Sequence, residues 1–81
     1  MTPVKSSSRK RHNTVLAVIR RAIVAGFTVG REVEIGSVPG TVVGFNIADF
    51  GDYPASEHPL LIDTPLGVIK SRLGEVRLVR R

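Results

Sequence analysis

The two histidines are the first candidates for chemistry, and neither lies in a pattern that a catalytic or metal site requires. His12 and His58 are far apart in the sequence, and the chain contains no cysteine. Zinc sites need several clustered His, Cys or carboxylate ligands, and a catalytic histidine needs a partner nucleophile or acid. We therefore predict no catalytic residue, no metal ligand and no cofactor.

The segment Asp49-Phe50-Gly51-Asp52-Tyr53 contains the letters DFG, the metal-binding triplet of protein kinases. The chain lacks the glycine-rich nucleotide loop and the catalytic-loop motif that accompany this triplet, so the match indicates loop architecture. Aspartate side chains cap local amides and glycine makes the bend. The alternative is a hard cation held by Asp49 and Asp52, which would need further oxygen ligands.

Phe50 and Tyr53 are the predicted partner-binding residues, because exposed rings stack on bases or on side chains of a partner. Their acidic neighbours Asp49, Asp52 and Glu57 repel phosphate, which favours a basic or apolar protein surface. In the alternative interpretation, both rings fold back and close one end of the domain.

The positive charge of the chain is concentrated at its beginning. Residues 1–31 contain seven Lys or Arg and no acid, whereas residues 32–81 contain five basic and seven acidic residues. The net charge of +5 therefore arises from the first part of the chain. This asymmetry is typical of a basic arm that binds a polyanion such as nucleic acid.

Basic side chains at both ends of the chain are the predicted nucleic-acid contacts, because Lys and Arg displace the counterions of phosphates. They are Lys5, Arg9, Lys10, Arg11, Arg20, Arg21, Lys70 and Arg72. The alternatives are a solvated tail at residues 6–12, a solvated strand face near the C-terminus, and a transit peptide within residues 1–31.

A length of 81 residues indicates one domain. We predict a flexible basic arm at 1–12, an amphipathic helix at 13–27 and a small β-domain at 30–81. Asn13 or Thr14 can cap the start of the helix, and Gly26 suits its end. The wide apolar arc of the helix, with Val24 in its polar strip, predicts self-association through the helix.

No stretch of the chain is predicted to span a membrane, because Arg20 and Arg21 interrupt the longest apolar segment. The absence of cysteine fits a reducing compartment, and we expect a cytoplasmic protein.

Alternating apolar residues predict five strands after Arg31. The predicted order is a strand at 33–35, a Val38-Pro39-Gly40-Thr41 turn, a strand at 41–47 with a bulge or sharp bend at Gly44, and a long loop at 48–59. A short hairpin at 60–70 turns at 64–67, and one helical turn at 71–74 leads to a last strand at 75–79. The fold class is α+β, with an N-terminal helix followed by a small five-stranded antiparallel barrel.

This order of elements resembles the SH3-like barrel superfamily over residues 30–80, and GREVEIGSVPGTVVGF resembles the first hairpin of its Tudor-like and KOW-like members. The resemblance implies a binding module, since such barrels bind RNA, ribosomes, RNA polymerase, methylated peptides or proline-rich segments. For a methyl-lysine cage the barrel offers only Phe45, Phe50 and Tyr53, which would form a thin cage, and binders of proline-rich segments usually present a denser aromatic groove.

We therefore expect a non-enzymatic adaptor or nucleic-acid-associated protein whose barrel docks on a protein partner and whose arm contacts a polyanion. The main alternative is a pure protein-binding regulator or inhibitor of a larger complex. A remote alternative is the oligomeric pore-type reductase of plasmids, also a small barrel, whose Val-Gln-Ile-Tyr motif would fall near Val68-Ile69-Lys70-Ser71 and is absent.

Overall fold

The computed structural model describes residues 3–48 and 50–79, with side chains described for residues 14–48 and 50–79. It contains one helix and a five-stranded antiparallel sheet, which confirms the predicted α+β class. The elements in chain order are α1 (Pro3–Val24), β1 (Glu32–Ile35), β2 (Val38–Phe45), β3 (Leu60–Thr64), β4 (Gly67–Ser71), a 3₁₀ turn (Leu73–Glu75) and β5 (Val76–Leu78).

The strands lie in the order β4-β3-β2-β1-β5, and every neighbouring pair is antiparallel. Strands β4 and β5 form the two edges and do not pair with each other, so the closure predicted for a barrel is not seen in the described residues. Strand β2 shifts register between Val42 and Gly44. This irregularity confirms the prediction that Gly44 marks a bulge or bend in the strand.

Helix α1 begins at Pro3, earlier than the predicted start at Asn13. Proline suits the first helical position, because the N–H that it lacks would have no partner there. The helix overlaps the segment 1–12 that is predicted to be a flexible arm. The side chains of that segment lie outside the described residues, so its flexibility and its contacts stay predictions.

The helix ends at Val24, three residues before the predicted bound at 27, and Gly26 terminates it as the sequence predicts. Its φ of 102° is left-handed, its N–H donates to the carbonyl of Ile23 at 3.0 Å, and the N–H of Phe27 donates to the carbonyl of Ala22 at 3.0 Å. These two bonds define a Schellman motif, in which the residue after glycine packs back onto the last turn. Both Ala22 and Phe27 belong to the main apolar core.

The buried face of α1 is narrower than its apolar arc. Val15 and Ala22 are buried, and Val18 and Ile19, which lie between them on the same face, are half-buried. Side chains outside this stripe are exposed, including the apolar Leu16, Ile23 and Val24 and the basic Arg20 and Arg21. Self-association through the exposed flank stays a prediction.

The first hairpin turns at Gly36-Ser37, so the predicted turn at Val38-Pro39-Gly40-Thr41 is wrong. Gly36 has a φ of 62°, and a two-residue turn with glycine first is the type II′ turn that matches strand twist. Pro39 pairs with Glu34 in a position that exchanges no hydrogen bond with β1, because Ile35 and Val38 form the bonded pair that closes the turn. The N–H that proline lacks would point toward β3, but β2 pairs with β3 only from Thr41 onward.

The second hairpin joins β3 to β4 through Pro65-Leu66, which confirms the predicted turn. The hydroxyl of Thr64 organises this turn, since its Oγ1 donates to the carbonyl of Gly67 at 2.8 Å and accepts from the N–H of Leu66 at 3.1 Å. Leu66 at the tip is 85% exposed. The turn is thus fixed by polar contacts near its base, and its tip is open to solvent.

Residues from α1, the segment after it and four strands form one apolar core. Its buried members are Ala22, Phe27, Val33, Val42, Leu60, Ile62 and Val76. Within the described residues β4 contributes none of them, and its first four residues are exposed. The core therefore lies on the α1 side of strands β1, β2, β3 and β5, and the β4 edge lies apart from it.

Candidate binding surfaces

The long loop 46–59 is held by Asn46, a buried polar residue at its start. The side-chain amide Nδ2 donates to the carbonyls of Tyr53 at 2.9 Å and His58 at 3.1 Å, and Oδ1 accepts from the N–H of Ala48 at 3.1 Å. Its backbone N–H donates to the carbonyl of Pro59 at 2.8 Å. One side chain therefore ties both ends of the loop and its middle together.

Sequence reasoning missed Asn46. The available signal was an asparagine directly after a strand, where its side chain can accept the N–H two residues on and form an Asx turn. The predicted strand 41–47 concealed this signal, since β2 ends at Phe45. The bonds from Nδ2 to carbonyls later in the loop have no sequence signature.

His58 is buried in the same loop and takes part in a structural contact. Its Nε2 accepts a hydrogen bond from the Nε–H of Arg72 at 3.3 Å, and its ring meets the ring of Tyr53 edge-on, with centroids 5.1 Å apart. Because a guanidinium only donates, Nε2 is the acceptor in this contact. Nδ1 is buried without a partner among the described atoms. The guanidinium occupies the lone pair that a general base would offer to a substrate.

Arg72, a predicted nucleic-acid contact, is engaged by its own domain. Its Nη2 lies 3.5 Å from Oε1 of Glu57, and its backbone N–H donates to Oε1 of Glu75 at 3.0 Å at the start of the 3₁₀ turn. Together with the contact to His58, these bonds tie the loop to the segment before β5. This geometry supports a structural role for Arg72 more than a phosphate contact.

The other predicted cationic residues differ in their surroundings. Arg20 and Arg21 are exposed on α1, and Lys70 is exposed on β4. None of the three forms an ion pair within the described part of the chain, whereas Arg77 pairs with Glu34 across β1 and β5. The remaining predicted contacts lie in the segment whose side chains are outside the described residues: Lys5, Arg9, Lys10 and Arg11.

The predicted partner-binding rings are both accessible. Phe50 is 77% exposed and Tyr53 is 55% exposed, although Tyr53 leans against His58. The ring of Phe50 therefore does not close one end of the domain. Ile47, close by in the sequence, is also exposed, so the loop presents apolar side chains to solvent.

Two grooves of different chemistry lie on the sheet. A groove of about 390 Å³ is lined by Tyr53, Val68, Ile69 and Lys70, and it joins the long loop to the edge strand β4. A larger one of about 610 Å³ has three carboxylates in its lining, from Glu32, Glu34 and Asp63, and that of Glu34 is paired with Arg77. The structure thus brings Tyr53 and Lys70 together and keeps Arg20 and Arg21 on the helix.

Comparisons with protein-family models, curated proteins and solved structures found no match to this chain. In the described ranges, no group of three or more His, Cys, Asp or Glu residues could hold a metal ion. The same residues include no helix with the length and apolar character that crossing a membrane would require.

Proposed function

We propose that this chain is a non-enzymatic adaptor that binds a polyanion through its N-terminal basic segment and a protein through its loop and β4 edge. The observation that supports this proposal is which arginines form ion pairs and which do not. In the described residues Arg72 and Arg77 are matched by Glu57 and Glu34, whereas Arg20 and Arg21 are exposed and without ion pairs. Lys70 on β4 is also without an ion pair in the described residues, but Arg20 and Arg21 lie in the part of the chain that contains no acid, residues 1–31.

Polyanion affinity from such a segment depends on released counterions rather than on base contacts. We therefore expect weak sequence preference and steep salt dependence. The carboxylate of Asp63 in the groove beside β1 and β3 disfavours a phosphate there. We place this activity in the cytoplasm, in keeping with the cysteine-free sequence.

Fluorescence anisotropy with labelled single-stranded and double-stranded oligonucleotides, at two salt concentrations, tests the proposal. We expect Arg21→Ala to weaken binding and to lower the slope of log K against log salt by roughly 0.7 to 0.9. Arg77→Ala is the matched control, because it removes the same charge from a residue that is already paired.

Absence of binding by micromolar protein at low salt would overturn the polyanion role. Equal weakening by both variants would also overturn it, since only net charge would then matter. If no oligonucleotide binds, the second candidate function is favoured. It is a protein-binding regulator without nucleic-acid contact. The exposed ring of Phe50 beside acidic residues of the loop is the observation that supports this candidate.

A further inference from the structure

In the described part of the chain, strand β4 is an edge of the sheet and carries exposed apolar side chains. Val68 is 60% exposed and Ile69 is 37% exposed, and both line the groove beside Tyr53. Edge strands in natural proteins are usually shortened, bulged or charged to prevent pairing with another chain. Here the protection of a five-residue strand is limited to the single charge of Lys70.

The register shows which backbone groups of β4 are available. Thr64 and Gly67 flank a two-residue turn and form a hydrogen-bonded pair, and in antiparallel strands bonded and non-bonded pairs alternate. Gly67, Ile69 and Ser71 therefore direct their N–H and C=O groups toward β3. Val68 and Lys70 direct theirs away from the sheet, so two donors and two acceptors face outward.

Lys70 determines the charge that an added strand should carry. Its cross-strand neighbour on β3 is Leu61, and Asp63, opposite Val68, is the diagonal neighbour. The described residues place no carboxylate within ion-pair distance of the Lys70 ammonium. A residue added opposite Lys70 would gain by being acidic, and a residue opposite Val68 would gain by being apolar.

We infer that β4 binds an extended acidic-apolar segment of a partner protein as a sixth, antiparallel strand. The inference rests on the proposed protein-docking function and specifies its mode. The recognised pattern is an acid opposite Lys70, an apolar residue opposite Ile69 and a second apolar residue opposite Val68. Main-chain bonds to Val68 and Lys70 supply affinity, and the alternate side chains supply specificity. A second copy fits less well, because each chain carries a net charge of +5 and its β4 has no acid to face Lys70.

The test uses a fluorescein-labelled peptide, Thr-Glu-Ile-Val-Thr, in anisotropy titrations with the full chain. We expect the matched peptide with Lys in place of Glu to bind about five to ten times more weakly. The variant Lys70→Glu should reverse this preference. If the wild type and Lys70→Glu each bound the two peptides with equal affinity, the inferred recognition of an acidic residue by Lys70 would be wrong.

Methylation of single peptide amides tests the strand addition itself without changing the protein. The N–H groups of the Glu and of the Val that follows Ile face β4 in the proposed register, so methylating either should weaken binding about tenfold or more. Methylating the Ile amide, which faces away, should leave affinity unchanged. A reversed pattern, or no effect at any position, would overturn the antiparallel addition.

A variant of the protein gives a second measurement. Val68→Pro removes an outward N–H that β3 does not use, and peptide binding should be lost while the thermal midpoint stays close to that of the wild type. Light scattering that shows a dimer abolished by this substitution would assign the edge to a second copy and overturn the partner-peptide inference. Failure of peptide binding with retained oligonucleotide binding would overturn the strand addition alone, because the oligonucleotide reports on Arg20 and Arg21.

Discussion

Gly40 shows how one residue can be required for a reason that its sequence context conceals. It follows proline and suggests a turn, but it lies in β2 opposite Val33. A Cβ at this position would lie 2.5 Å from Cγ2 of Ile62 and 3.1 Å from the carbonyl oxygen of Asp63. The missing side chain therefore allows β2 to approach β3 closely beside the buried core.

The substitution Gly40→Ala should destabilise the fold by about 1 to 3 kcal/mol, because the core around Ile62 would have to move. Gly74→Ala is the control, since Gly74 has no positive φ and a Cβ there meets no atom within 4 Å. Urea denaturation of both variants measures the difference. Similar midpoints for the two variants would show that the contact with β3 is not tight.

The fold also depends on the hydrogen bonds of the Asn46 side chain. Asn46→Asp keeps the shape of the side chain but replaces a donor to two carbonyls, those of Tyr53 and His58, by a carboxylate oxygen that repels them. We expect a loss of at least about 2 kcal/mol at neutral pH. The exposed exchange Asp52→Asn, at a residue without an ion pair among the described residues, controls for the change between acid and amide. Thermal unfolding followed by circular dichroism distinguishes them, and equal midpoints would contradict the role of Asn46.

At the scale of elements, the helix and the sheet are joined at the last turn of α1. Ala22 is fully buried, whereas Ala17 on the same helix is exposed. The Schellman motif at Gly26 then directs Phe27 into the core. The orientation of α1 on the sheet thus depends on a small residue and on the chain reversal that follows it.

Replacing Ala22 by leucine tests this junction. Ala22→Leu should cost about 1 to 3 kcal/mol, because extra carbons do not fit at a fully buried position. Ala17→Leu should change the free energy of unfolding by less than about 0.5 kcal/mol, since leucine and alanine have similar helix propensities. Chemical denaturation monitored by circular dichroism gives both values. Equal costs would show that α1 does not pack through Ala22.

The elements that the sequence predicts correctly are those with a local cause. Gly26 as a helix end, Pro65-Leu66 as a turn and the bend near Gly44 each follow from the conformational preferences of one or two residues. The first turn is wrong because two local signals compete. Pro39-Gly40 fits a type II turn, but Gly36 fits the type II′ turn that closes a hairpin, and the register of β1 with β2 decides between them.

At the scale of the whole molecule, the distribution of charge is set by the sequence and refined by the fold. The excess of positive charge in residues 1–31 is visible in the sequence, but the neutralisation of Arg72 and Arg77 is not. Their partners Glu57 and Glu34 are distant in the sequence and meet only when β3–β4 and β1–β5 pair. The candidate surface could be predicted only in part, because these ion pairs form between residues that are far apart in the sequence.

Deletion of residues 1–12 tests whether the two parts of the molecule act separately. Among the residues with described side chains the first buried apolar one is Val15, so the thermal midpoint should change by only a few degrees. Oligonucleotide affinity should fall strongly, because four Lys or Arg residues are removed. The measurements are a thermal melt and a salt-dependent titration of the shortened chain. Retained affinity would place the polyanion site elsewhere, and an unfolded product would show that the first residues stabilise the core.

The open tip of the second hairpin makes the molecule well suited to site-specific labelling. Leu66 is 85% exposed, and the chain has no cysteine, so Leu66→Cys would introduce a unique thiol. A nitroxide or an environment-sensitive dye attached there would be close in sequence to Val68. Its spectroscopic signal would show when a ligand occupies that side of the sheet, and no other residue would be modified.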